Sequence, residues 1–295
     1  MHKIKLPDTK VIVFNAAAAL IMVGALGSLV RTTLFPPTLA GCSTRYAKMT
    51  MMRLEQGGQA LSAADFQANL AGQDGGVLEN ISVEKNNSKT APHVLGVKLG
   101  AGKSILRGTG EAGSGVSFPW RPIAGKDLEA ACLSYSVFVP EGFDFSSGGT
   151  LPGLLAGMRE GAAAEHEDSF KAPLFWYDAG KIGAQLRLVM KGNISTSAAM
   201  ATGRTNAGTG RWVAIEQEII LNKPGTENGI VRVWVDGDLR VSISEVALRE
   251  TADLRINGVA VDVHYGTFGG QTPGTMDAQL RFTPFYLRWD AVPSR

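Results

Sequence analysis

Cysteine and histidine are scarce: the 295 residues include 2 Cys and 4 His. Two thiols cannot build a disulfide scaffold or a four-thiolate zinc site. Four imidazoles, one of them at His2, exclude a His-rich metal cluster. An excess of charge of one sign is lacking too. Twenty-nine Lys and Arg stand against 27 Asp and Glu, a formal net charge of +2. No bulk field therefore draws the chain to nucleic acid. Three catalytic signatures are missing: the Gly-x-Ser-x-Gly elbow, the His-Glu-x-x-His zinc pair and the Gly-x-x-x-x-Gly-Lys-Ser/Thr phosphate loop. Neither a metal nor a cofactor is expected. Beyond residue 75 no long segment of 3.6-residue period occurs, which argues against a helical domain.

What is abundant is glycine, 36 residues in all, above the usual ~7%. Many glycines imply many turns, and many turns imply many strands. Short alternating runs fit this. They include Val77–Val83, Val94–Leu99, Leu133–Val139, Gln185–Lys191, Trp212–Leu221, Ile230–Val235, Leu239–Ser244, Val259–Phe268 and Gln279–Trp289. Asp236-Gly237 between two of them is a hairpin signal. The fold expected is all-β, an antiparallel sandwich of jelly-roll type over residues 76–295. Residues 31–75 read as a linker with a short helix opened by Ser62. The stretch Ala156–Ala179 breaks the rhythm and reads as a surface loop. Within it, Glu165-His166-Glu167-Asp168 could hold a hard cation, but reads first as a solvated charge run.

The N-terminus is separate. Residues 11–30, VIVFNAAAALIMVGALGSLV, follow Lys3, Lys5 and Lys10. Their length suits a helix crossing a bilayer of ~30 Å, and the preceding lysines keep the N-terminus cytoplasmic. Two readings stay open, an uncleaved membrane anchor and a cleaved export signal. Both place the rest of the chain in the periplasm or outside the cell. Leu39-Ala40-Gly41-Cys42 has the form of a lipidation box, making Cys42 a lipidation candidate. The alternatives for Cys42 are a plain exposed thiol or a disulfide with Cys132.

Two strands carry candidate chemistry. Period two puts Gln185, Arg187, Val189 and Lys191 on one face, with Leu186, Leu188 and Met190 on the other. Arg187 and Lys191 could meet carboxylates, Arg best because its planar fork gives two hydrogen bonds. An ordinary solvated strand face is the plain alternative. In the second strand, His264 points with Asp262 and away from Tyr265, and a neutral imidazole there could act as a base.

Three ordered segments carry a resemblance: LSYSVFVPEGFDFSSGGTLPGL (133–154), GRWVAIEQEIILNKPG with NGIVRVWVDG (210–237), and HYGTFGG (264–270). Together they resemble the polysaccharide lyase family 14 domain, the jelly-roll type of alginate and glucuronan lyases, over about Pro119 to Trp289. The resemblance implies β-elimination of an acidic polysaccharide, with no nucleic-acid partner. Such a reaction needs a cation or amide on the C5 carboxylate, a base for the C5 proton and an acid for the leaving oxygen. Arg187 matches the Arg of the family's Ser-x-Arg strand, and Gln185 stands in place of the Ser. Thr150 stands where a Lys precedes Leu151-Pro152-Gly153-Leu154. The family's Tyr-x-Tyr pair has no counterpart after Arg187, and Tyr177 lies before the strand. The catalytic candidates are therefore Arg187, Gln185, His264 and Tyr265, with Lys191 and Thr150 binding substrate. A glycan-binding envelope protein without catalysis, or an envelope domain without a glycan partner, is the alternative.

Overall fold

The alternation of apolar and polar residues is realised as strands from Tyr46 onward. The structure, a computed structural model, describes residues 39–70, 75–103, 114–122, 128–157, 168–202, 206–266 and 272–291. The chain divides into two compact units, Met1–Leu39 and Ala40–Arg295. The second holds β1 (Tyr46–Met51), β2 (Glu55–Gln56), β3 (Gln59–Ala60), α1 (Ala63–Asn69), α2 (Val77–Asn80), β4 (Ile81–Lys85), β5 (His93–Leu99), β6 (Val116–Trp120) and β7 (Ala130–Val139). It continues with β8 (Gly149–Ala156), β9 (Ser169–Tyr177), β10 (Lys181–Met190), β11 (Asn193–Ala199), β12 (Arg211–Ile220) and β13 (Gly229–Val235). The last strands are β14 (Asp238–Val246), β15 (Ile256–Tyr265), β16 (Ala278–Phe282) and β17 (Tyr286–Ala291).

Two antiparallel sheets form the sandwich. The nine-stranded sheet runs β14-β13-β12-β7-β16-β5-β4, with β17 also against β7 and β1 against β17. The six-stranded sheet runs β11-β10-β9-β8-β15-β6. Non-consecutive neighbours such as β7-β12 and β8-β15 are the crossovers of a jelly roll. Between the sheets lies one continuous apolar core. Val213, Ile215, Ile219, Val231 and Val233 come from one side, and Leu174, Trp176, Val259, Val261 and Val263 from the other. Each is essentially buried, worth roughly 1.5–3 kcal/mol per large aliphatic side chain.

Two polar side chains cross that core to a defect in β8. The β8–β9 register shifts between Leu151 and Leu154, a bulge containing Pro152 and Gly153. A bulge leaves backbone groups without ladder partners. Gln217 of β12, fully buried, supplies them. Its Oε1 accepts from the Leu154 N–H at 2.7 Å, and its Nε2 donates to the Ala172 carbonyl at 2.7 Å. The Tyr135 hydroxyl donates to the Pro152 carbonyl at 3.0 Å. The nine-stranded sheet thus fixes the middle of the six-stranded one.

The structure departs from the sequence reading at four places. Val77–Asn80 is a helical turn, not a strand, entered through Gly76 at φ 81° and tied down by Asn80, whose Nδ2 donates to the Gly115 carbonyl. The stretch expected as a loop contains β9, whose SFKAPLFWY is buried on both faces and so shows little alternation. Gln279–Trp289 is two strands, since Pro284 between them cannot donate to a ladder. Finally, β1 lies within the expected linker and pairs with β17. The short helix does begin after Ser62, whose Oγ accepts from the Asp65 N–H at 3.1 Å. The expected anchor or signal, residues 11–30, lies outside the described residues, as do His166 and Gly269-Gly270. Among the described residues no helix is long and apolar enough to cross a membrane.

Candidate active site

The outer face of the six-stranded sheet collects most of the predicted residues. On β10 the core takes Ile182, Ala184 and Leu186, so Gly183, Gln185, Arg187 and Val189 point outward. The alternation ends there. Met190 pairs with Asn193, and Lys191 (φ 49°) and Gly192 (φ 77°) form the two-residue turn between β10 and β11. Lys191 therefore does not share the face of Arg187. Its Nζ is ion-paired with Glu250 and its N–H donates to Asp168 Oδ1 at 2.8 Å. Lys191, expected to bind substrate beside Arg187, is thus placed in the turn.

Arg187 and Gln185 do share the outer face. Gln185 is 7% exposed and Arg187 is half-buried. Arg187 has no ion pair among the described residues. Its direct cross-strand neighbours are Lys171 on β9 and Thr196 on β11. Opposed like charges at such a position are destabilising by themselves. Lys171 is balanced by Asp262 of β15, whose Oδ2 lies 3.3 Å from Nζ. The Ser117 hydroxyl of β6 donates to the other oxygen of Asp262 at 2.6 Å. The face thus carries a line of polar groups across the strands: Ser117, Asp262, Lys171 and Arg187.

Thr150 and His264 form a second group on the same face. They are cross-strand partners between β8 and β15, and Thr150 pairs with Phe175 on its other side. The Thr150 hydroxyl donates to the Gly266 carbonyl at 3.1 Å. His264 Nδ1 lies 2.9 Å from the Tyr265 carbonyl oxygen. A carbonyl can only accept, so in the neutral ring Nδ1 carries the proton and Nε2 keeps its lone pair. His264 is therefore set up as a proton acceptor through Nε2. Three strand spacings, about 14 Å, separate β15 from β10, so His264 and Arg187 do not meet on one sugar.

Tyr265 belongs elsewhere. It points to the core at 1% exposure, stacked on Phe143 and edge-on to Trp176. Its hydroxyl donates to the Met276 carbonyl at 2.9 Å. Burial first, then the charges of Asp144 and Asp277, push its pKa up to about 12. Tyr265, expected among the catalytic residues, thus lies in the core and not on the face that carries Arg187 and His264. Cys42 is corrected too: it is fully buried and forms a disulfide with Cys132, so its sulfur is not available for a lipid. The same bond removes both sulfurs from the Cys42, Cys132 and Glu216 cluster, the one metal-like grouping among the described residues.

Lys171 and Ser117 were not marked by the sequence. Lys171 lies in the run misread as a loop, and its partner is 91 residues away. A lysine inside a mostly apolar nine-residue strand was the signal available.

The chain is thus an antiparallel jelly roll with a partly buried strip of charged side chains on the outer face of its smaller sheet. The family model of polysaccharide lyase 14 matches residues 87–282, and the chain belongs to that family. No curated protein matches the sequence. Among solved structures, the marine alginate lyase of this family from Aplysia kurodai is similar at 18% identity and TM-score 0.65, covering 83% of this chain and 99% of that one. The alginate lyase from Chlorella virus is 19% identical at TM-score 0.57, over 71% of this chain and 89% of that one. The endo-beta-1,4-glucuronan lyase from the fungus Trichoderma reesei is 12% identical at TM-score 0.51, over 83% and 96%. At these identities the likeness establishes the fold, and function has to be argued from the face itself.

Proposed function

We infer that the protein is a polysaccharide lyase that cleaves a uronic-acid polymer by β-elimination on the outer face of the six-stranded sheet. The observation that carries this reading is Arg187. It is a half-buried guanidinium without an ion pair among the described residues, beside Gln185 and opposite a second cation. A polyuronate carries one carboxylate per sugar, and an unpaired Arg fork is suited to bind one of them. His264 supplies the base, its Nε2 lone pair kept available by the bond from Nδ1. The distance between the two means that they serve different sugars along the polymer.

A second reading, binding without cleavage, is favoured by β11. Its outward positions beside Arg187 and Gln185 are Thr196 and Ala198, neither of which can act as general acid or base at neutral pH. Incubation with alginate, glucuronan and neutral glucans separates the readings. Unsaturated product from a polyuronate supports the lyase. Binding without product supports the second reading, and neither binding nor product overturns both. For a lyase, His264→Asn lowers turnover by about a hundredfold or more while leaving substrate affinity nearly unchanged.

The location of the protein follows the same logic. The disulfide between Cys42 and Cys132 supports residence in an oxidising compartment, as does the lysine-flanked apolar run at residues 11–30. Mass analysis of the N-terminus of protein purified from its native host tests this. A free Cys42 thiol in that material would contradict it.

A further inference from the structure

Besides the acid for the leaving oxygen, the elimination leaves a second role unfilled: the cation that neutralises the carboxylate of the sugar facing His264. Arg187 is too far away. We propose that Lys171 is that cation, and that Asp262 and Ser117 position it. This rests on the reading of the outer face as a uronate site.

The geometry is specific. Lys171 springs from β9, but its ammonium does not stay there. It reaches Asp262 on β15, two strands away, about 9.5 Å between strand axes. It therefore crosses β8 on its outer side, diagonally from Leu155, its direct partner on that strand, since Asp262 lies four residues beyond Gly258, the β15 partner of Leu155. Asp262 and His264 are two residues apart on β15, on the same face, about 6.7 Å between their Cα atoms. The ammonium is thereby delivered to the neighbourhood of His264, although its backbone lies opposite Arg187.

The crossing is possible because of the bulge. The β8–β15 register is irregular between Ala260 and His264, and the β8–β9 register between Leu151 and Leu154. Both irregularities flank the path of the ion pair. Gly153 cannot carry a side chain, since a Cβ there would lie 1.9 Å from the Ala172 carbonyl oxygen. No side chain from that position obstructs the lysine.

The charge count supports a ligand. Arg187 and Lys171 are two cations, and Asp262 is the one anion paired with them among the described residues. A face that leaves a net positive charge with 19% exposure of the Lys171 side chain and 11% of the Asp262 side chain is partly desolvated, where a carboxylate binds more strongly than at an open surface. The arrangement also removes the need for a basic residue at Thr150. The cation comes from the neighbouring strand and arrives over β8.

The test is binding of a uronate tetrasaccharide, with a neutral glucose tetrasaccharide as control, to the full chain and its variants. Lys171→Met is expected to weaken uronate binding at least tenfold, and Lys171→Arg to retain most of it. Lys171→Met leaves Asp262 uncompensated and could impair folding. The double variant Lys171→Met/Asp262→Asn removes both charges and is expected to fold and still lose at least tenfold. Asp262→Asn alone keeps the ammonium but loses its holder. A raised KM and a lowered kcat are expected for it beside a lowered melting temperature, whereas a purely structural pair would move only the melting temperature. A folded double variant that binds uronate as tightly as the parent overturns the proposal, and if Arg187→Met then still loses affinity, the uronate reading itself stands. A parent protein that prefers neither tetrasaccharide overturns the uronate reading and this inference with it.

Discussion

The two outer faces of the sandwich use the same chemistry to opposite ends. On the nine-stranded sheet, Glu218 of β12 is 1% exposed and fully engaged. It accepts from Arg45 at 3.0 Å, from the Tyr46 hydroxyl at 3.0 Å and from Arg232 at 3.0 Å. Glu216 accepts from the Ser43 N–H at 2.7 Å and its hydroxyl at 3.0 Å. Arg45 also lies over the Trp234 ring at 5.4 Å, and the disulfide from Cys42 to Cys132 fastens the segment down. The chain's own residues 42–46 cover this face around β12 and satisfy the carboxylates of Glu216 and Glu218. On the six-stranded sheet the cations outnumber their partners: Lys171 has Asp262, and Arg187 has none among the described residues. The carboxylates around β12 are closed over by the protein itself, whereas Arg187 on the other face has no anionic partner among the described residues. Buried charge alone therefore does not mark a functional site.

This contrast can be broken from either side. The largest effect on stability is expected from Glu218→Ala, which strands Arg45, Arg232 and the Tyr46 hydroxyl. A loss of roughly 3–5 kcal/mol would appear in denaturant unfolding, with little change in affinity for uronates. Replacing both cysteines by serine opens a loop set by a separation of 90 residues, worth about 2–5 kcal/mol. Gln217→Leu leaves the Leu154 N–H and the Ala172 carbonyl without partners, at roughly 1–3 kcal/mol each. It also loosens the bulge under Lys171, so turnover should fall along with stability. Arg187→Met lies at the other extreme. Stability should change by no more than about 0.5 kcal/mol, while uronate affinity falls at least tenfold. If Arg187→Met destabilises as much as Glu218→Ala, the two faces are alike and the contrast is lost.

A small acid effect belongs to neither face. Glu129 is held below the ordinary Glu range, first by its hydrogen bond to Arg255, opposed by slight burial, and further by Arg249. A lowered folded pKa stabilises above the ordinary value and is lost as pH falls through the folded one. Glu129→Gln should thus flatten the acid side of the stability profile measured below the ordinary Glu pKa, and leave neutral pH nearly unchanged.

The sequence was most legible where structure is local. Alternation in β7, β10, β12 and β13, the Asp236-Gly237 turn and the Ser62 cap are each decided within a few residues. Gln185 and Arg187 could be placed on one face for the same reason, and His264 with Asp262 apart from Tyr265. Lys191 failed because a strand's end depends on where its hairpin turns, and Gly192 at φ 77° takes the turn one residue earlier than alternation alone suggests. β9 was missed because a strand buried on both faces has no alternation to read. The pairing of Lys171 with Asp262 was beyond local reading. It depends on the spatial order β9-β8-β15, and nothing near either residue encodes that order. The disulfide was one of the alternatives open for Cys42, and only the fold of residues 42–46 onto β7 and β12 selects it.

The most direct test of the contrast is thermal unfolding of the parent and of Arg187→Met with and without a saturating polyuronate. A ligand bound to the folded state alone at about 100 times its Kd adds about 2.7 kcal/mol. The account predicts a clear rise in Tm for the parent and little or none for Arg187→Met, with equal Tm values in the absence of polymer. An equal rise in both proteins would place the polymer elsewhere and contradict the assignment of the six-stranded sheet as the binding face.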